Sequence, residues 1–185
     1  FVVDRSIDEE ALDHALEEAA EAGCAALVAM RQNEGAALAA ELRQRLSELQ
    51  AIVSVVTAAV PEMVQARGAR LRDRLETLMA DTGADLDANR LEQEIALIAD
   101  RSDVTEELVR LESHRTQMLE LVENSSAPVG KRIDFLLQEM ARETNTIGSK
   151  AQDSAVTSQV IALKACIEQM REQAQNVLYA PAPSR

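Results

Sequence analysis

Apolar residues recur at helical spacing along most of this chain, and the pattern predicts five or six helices. Ser6, followed by Asp8, Glu9 and Glu10, reads as a helix start, with acids in the first turn meeting the positive end of the helix dipole. The helix runs through DHALEEAAEAGCAALVAMRQ, tolerates Gly23, and passes Gly35 without a firm stop into AALAAELRQRLSELQAIVSVVTAAV. Pro61 interrupts this pattern, yet PEMVQARGARLRDRLETLMA regains it at once, so Pro61 reads as a first-turn residue or a kink. The clearest loops are residues 81–87, DTGADLD, and 124–128, NSSAP. The expected fold is all-α: a long antiparallel, hairpin-like helical arm over residues 1–83, then a helix bundle over 84–178. The tail YAPAPSR, residues 179–185, reads as disordered.

The last helix carries a coiled-coil-like seam. Val156, Val160, Leu163, Ile167, Met170, Ala174 and Val177 alternate four and three residues apart, so they must pack on another helix. Composition fits this reading. Of 185 residues 46% are hydrophobic but only 2% aromatic, with no Trp, so the core rests on Leu, Ala, Ile, Val and Met. Six Gly and four Pro are too few turn formers for many short strands. No apolar run long enough to span a membrane is expected, and no signal peptide, which makes a cytoplasmic protein with no membrane partner the default. Cys24 and Cys166 lack metal-ligand spacing and are expected to be buried free thiols.

Two helices place charge where a solvated face alone would not need it. In residues 129–150, VGKRIDFLLQEMARETNTIGSK, the seam is Ile133, Leu136, Leu137 and Met140. Arg132, Glu139 and Glu143 stack beside it, while Lys131, Asp134, Gln138, Arg142 and Asn145 form a second polar flank. The other helix opens near Ser102 or Asp103, with Asp103 and Glu106 spaced as a capping box. Beyond the cap, Asp103, Glu107, Arg110 and His114 share one face, beside an apolar face of Val104, Leu108, Leu111 and Leu119. Surface salt bridges explain both stripes equally well. Residues 144–150, TNTIGSK, which include Asn145, Ser149 and Lys150, read as a loop able to cradle phosphate through its backbone N–H groups, or as a simple polar cap and turn. They lack the P-loop arrangement. His14, between Asp13 and Glu17, reads as a surface residue.

DFLLQEMARETNTIGSK, preceded by VGKR and followed by IEQMREQAQNV, resembles the carboxy-terminal signature of the bacterial YicC/YloC family. RLEQEIALIADRSDVTEELVRLESH, residues 90–114, resembles the helices that precede it, and MRQNEG, residues 30–35, more loosely resembles the start of the central arm. The resemblance implies an endoribonuclease that assembles as a homo-oligomer, with a hexamer expected. Members also carry an amino-terminal α/β domain that has no counterpart here. With Phe1 in place of methionine, the chain is therefore expected to be a fragment or a processed product.

On that reading the chain cuts RNA, single-stranded RNA in particular, with a divalent cation such as Mg or Mn. Asp103, Glu107, Glu139 and Glu143 would serve as metal ligands, and Glu107, Glu139 and Glu143 also as acid/base groups, with His114 as proton carrier. Arg90, Arg110, Lys131, Arg132, Arg142, Asn145, Ser149 and Lys150 would contact RNA. Charge speaks against simple nucleic-acid binding, because the chain carries a net −13. The deficit is concentrated in residues 1–99, with 9 cations against 19 acids; residues 100–178 have 9 against 13. The alternative is a non-catalytic helical module that binds RNA or assists another nuclease, within reach of other RNA-degradation proteins.

Overall fold

A computed structural model describes residues 8–82, 88–124, 129–151 and 153–178. Five helices follow in order: α1 (Glu9–Thr82), α2 (Ala88–Ser102), α3 (Thr105–Asn124), α4 (Gly130–Lys150) and α5 (Ser154–Leu178). Among the described residues there is no strand, so the all-α expectation holds. Ser6, residues 83–87 and 125–128 of the expected loops, and the tail lie outside the described residues, as does the side chain of Val177.

Two compact units divide the chain, residues 1–41 and residues 42–185. In the first, Asp8 caps α1 by accepting the Ala11 N–H at 3.2 Å. A single helix cannot cover its own side chains, and every described residue as far as Ala37 is exposed. Cys24 is therefore exposed, not buried as its apolar neighbours suggested. His14 is exposed as expected, 3.6 Å from Glu18.

The reversal expected within residues 1–83 does not occur, since α1 continues from Glu9 to Thr82 with Pro61 inside it. Gly23 and Gly35 weaken a helix by about 1 kcal/mol each but do not stop one. Pro61 removes one backbone hydrogen bond. Val53, Val56 and Met63, buried on both sides of it, hold the helical path. One 18-residue window in α1 reaches a mean hydropathy of 1.4, so the chain does contain an apolar stretch long enough to span a membrane. Alanine and valine raise the average there without forming a continuous run of large side chains.

In the second unit α1 contributes Leu42, Leu46, Leu49, Val53 and Val56, all buried at heptad spacing. The seam of α5 meets it, where Cys166 donates from Sγ to the Arg45 carbonyl at 3.4 Å. Burial pushes that thiol's pKa up, as expected for a packed, unreactive cysteine. From α5, Val156, Val160, Leu163, Ile167, Met170 and Ala174 are buried. Next, α4 lies between α5 and α3, bringing Ile133, Leu136, Leu137, Met140 and Ile147 into the core. In α3 the buried face is Leu108, Leu111, Arg115 and Met118; Leu119 is only partly covered. Arg115 stays in that face by pairing with Glu112 at 2.6 Å. Near Gly68 and Arg67 of α1, α2 contributes Ile95 and Ser102, with Arg67 donating to Ser102 Oγ at 3.0 Å.

A candidate active site between two helices

Asp103 opens α3 by accepting the Thr105 N–H at 2.9 Å, and hydrogen bonding from the Thr105 side chain, with that backbone bond, holds its carboxyl below the usual range. The expected reciprocal half of the capping box is replaced: Glu106 accepts from Arg110 at 3.1 Å, one turn further on. Residues 144–150 are not a loop. They form the last two turns of α4, which closes when the Ala151 N–H donates to the Ile147 carbonyl at 2.8 Å. Their backbone amides serve the helix and cradle no phosphate. Ser149 donates to the Thr146 carbonyl, and Asn145 is exposed.

This helical extension lets Lys150 reach α3. Its Nζ donates to the Asp103 carbonyl and to Glu107 Oε1, each at 2.9 Å. Arg110 completes the cluster from α3, with Nε on Glu143 Oε1 at 2.9 Å and Nη2 on Glu107 Oε1 at 3.4 Å. Glu107 and Glu143 are buried, whereas Arg110 is about half exposed. Burial alone would raise the Glu107 pKa, but the Lys150 hydrogen bond and the two cations hold it below its ordinary value. The hydrogen bond to Glu143 likewise holds the Arg110 guanidinium charged. Glu107 Oε2 and His114 Nδ1 are buried with no hydrogen-bond partner among the described residues, as is Thr144 Oγ1.

The pairs Lys150 with Glu107 and Glu143 with Arg110 make α3 and α4 antiparallel. Continuing this register, His114 and Glu139 follow one turn along, and then Gln117, Leu121, Arg132 and Leu136. Those last four line one groove with Lys131 and Phe135, which confirms the register. The two sequence stripes thus form opposite walls of one seam. Lys131, Arg132 and Arg142 are exposed. Arg90 lies on α2 and has a partner of its own.

The four carboxylates named as metal ligands do not converge. Asp103 caps a helix, Glu107 and Glu143 share cations, and Glu139 enters none of these pairs. Among the described residues no group of three or more His, Cys, Asp or Glu side chains is placed to hold a metal ion. Arg110 and Lys150 supply the positive charge there instead. Sequence reasoning missed the internal use of these two cations, although the i, i+3 spacing of Glu107 and Arg110 signalled one of the pairs.

Fold and seam together define an all-helical protein with a charged site between two antiparallel helices. Residues 56–178 match the family described as "Endoribonuclease YicC-like, C-terminal", and the chain belongs to that family. A protein of Clostridioides difficile named "Probable endoribonuclease YicC" is 37% identical over 176 residues, covering 95% of this chain and 59% of that protein. One of the same name from Haemophilus influenzae is 39% identical over 150 residues, 81% of this chain and 50% of that protein. The chain thus spans between half and three fifths of the length of these relatives.

Proposed function

We propose that this chain is the helical part of an endoribonuclease that cuts phosphodiester bonds of single-stranded RNA on the seam between α3 and α4. The observation that carries the reading is the gathering of Glu107, Arg110, Glu143 and Lys150 from two helices, with His114 and Glu139 next in register. His114 carries the proton. Its Nδ1 has no hydrogen-bond partner among the described residues, which leaves that ring nitrogen uncommitted to the chain's own groups. Glu139 is the carboxylate next in register to His114, and Glu107 and Glu143 hold the walls together through Arg110 and Lys150. Phosphate contact falls to the exposed cations Lys131, Arg132 and Arg142.

Divalent metal would enter with the RNA phosphates rather than at a preformed carboxylate site. Six copies are expected from the family resemblance, and Leu12, Leu16, Leu27, Val28 and Met30, exposed on residues 9–41, offer an apolar surface through which copies would associate. Product analysis of a labelled single-stranded RNA, with and without EDTA, tests both points. Cleavage in either lane supports the nuclease, and its loss with EDTA assigns the metal. A second reading, a non-catalytic RNA-binding or protein-interaction module, is favoured by one observation: Arg110 commits all three guanidinium nitrogens to carboxylates of its own chain. Intact RNA in both lanes selects that reading.

A further inference from the structure

Beyond His114 the seam opens into a groove of about 470 Å³ between the end of α3 and the start of α4. Its lining joins an aromatic ring to cations: Phe135 with Lys131 and Arg132 from α4, facing Gln117, Glu120 and Asn124 from α3. Phe135 is 58% exposed in a chain with only two Phe, one Tyr and no Trp. The core does not use it, since Ile133, Leu136, Leu137 and Met140 bury the apolar face of α4. A large ring left in water costs free energy unless something covers it.

We propose that this groove is a nucleobase subsite, in which one unpaired base of the RNA stacks on Phe135 while Lys131 and Arg132 hold the flanking phosphates. The inference rests on the RNA reading above and names how that RNA is gripped. Three features favour a base over a protein partner. Two cations in succession stand beside the ring in a chain that is otherwise strongly acidic. The Asn124 amide, the Glu120 carboxylate and the carbonyl oxygen of Gln117, whose amide nitrogen donates to Ser113, offer donors and acceptors to a base edge, whereas an apolar partner surface would leave them without that use. The groove is also continuous with the proposed cutting site: Gln117 and Leu121 extend the α3 stripe of Glu107, Arg110 and His114, and Arg132 and Leu136 extend the α4 stripe of Glu143 and Glu139. Eight residues separate Phe135 from Glu143, about 12 Å of helix at 1.5 Å per residue. A base held at Phe135 would therefore anchor the strand a short way from the scissile phosphate.

The test is fluorescence anisotropy of a short single-stranded RNA, and of the same RNA carrying abasic positions, on the whole chain and its variants. Phe135→Leu keeps an apolar, helix-favouring side chain but removes the ring face, so folding is preserved. It should weaken binding of the intact RNA about tenfold, the effect of losing one stacked base, and leave the salt dependence unchanged. Phe135→Tyr should restore affinity. The abasic RNA should bind wild type and Phe135→Leu alike. Lys131→Gln with Arg132→Gln should instead flatten the salt dependence with both RNAs. If wild type binds and cuts RNA but Phe135→Leu does so equally well, the subsite is wrong and the RNA reading stands. Should wild type bind no RNA, both fall. If Phe135→Leu alters only the mass seen by light scattering, the ring belongs to a protein contact and the subsite is overturned.

Discussion

Glu107 is a buried carboxylate that remains ionised because Lys150 and Arg110 reach it from outside the core. Its pKa lies below the ordinary value of 4.5, so its contribution to stability is complete above that value and is lost as pH falls through the lowered one. Replacing Lys150 with Met removes the hydrogen bond and one cation while burial remains. That change should cost roughly 1–3 kcal/mol near neutral pH, the usual cost of stranding a buried polar group. It should also shrink the part of the acid-dependent loss of stability that Glu107 contributes, because burial then acts on its pKa without the Lys150 hydrogen bond to oppose it. Thermal melts of both proteins between pH 3 and 7 would show this; superimposable curves would mean that Lys150 is only a solvated neighbour. Glu139, half-buried and outside these pairs, should instead tolerate Gln within about 0.5 kcal/mol.

At the scale of the helices, α4 packs closely on α5 at Gly148. A Cβ added at Gly148 would stand 3.0 Å from Val160 Cγ1, so the two helices approach through the missing side chain. Gly148→Ala should destabilise the bundle when Val160 is present and should cost less, or even stabilise through better helix propensity, in a Val160→Ala background. A double-mutant cycle read by urea denaturation checks the coupling, and strict additivity would show that the crossing has slack. This contact also illustrates what the amino-acid pattern could carry. The α5 seam was legible because seven apolar residues keep a strict heptad order, and the two charged stripes because helical spacing places them without knowledge of any neighbour. The matching seam of Leu42, Leu46, Leu49, Val53 and Val56 was equally regular, but which helix would cover it is not contained in the pattern of a single helix. The end of α4 was misread for a different reason. Thr, Asn, Gly and Ser favour turns locally, yet burial of Thr144 and Ile147 and the reach of Lys150 to α3 keep the helix going. That Arg110 and Lys150 would bind carboxylates of their own chain depends on the register of α3 against α4, which no single-helix pattern contains.

For the molecule as a whole, the exposed apolar residues of positions 9–41 and the α3–α4 seam pose separable questions. If copies associate through the former, Leu16→Glu with Leu27→Glu should lower the mass found by sedimentation without altering the melting of residues 42–185. An unchanged mass would place the assembly contacts elsewhere. We propose that RNA cutting belongs to the seam, where His114 moves a proton beside Glu139. The most direct measurement is the rate of cleavage of a labelled single-stranded RNA by the purified chain, by His114→Ala and by Glu139→Gln, each with its melting temperature taken in the same buffer. The account predicts that wild type cuts, that His114→Ala loses about a hundredfold or more in rate, that Glu139→Gln also loses rate, and that neither variant shows a matching loss of thermal stability. Cleavage by His114→Ala at the wild-type rate, or RNA left intact by the wild-type chain itself, would contradict it.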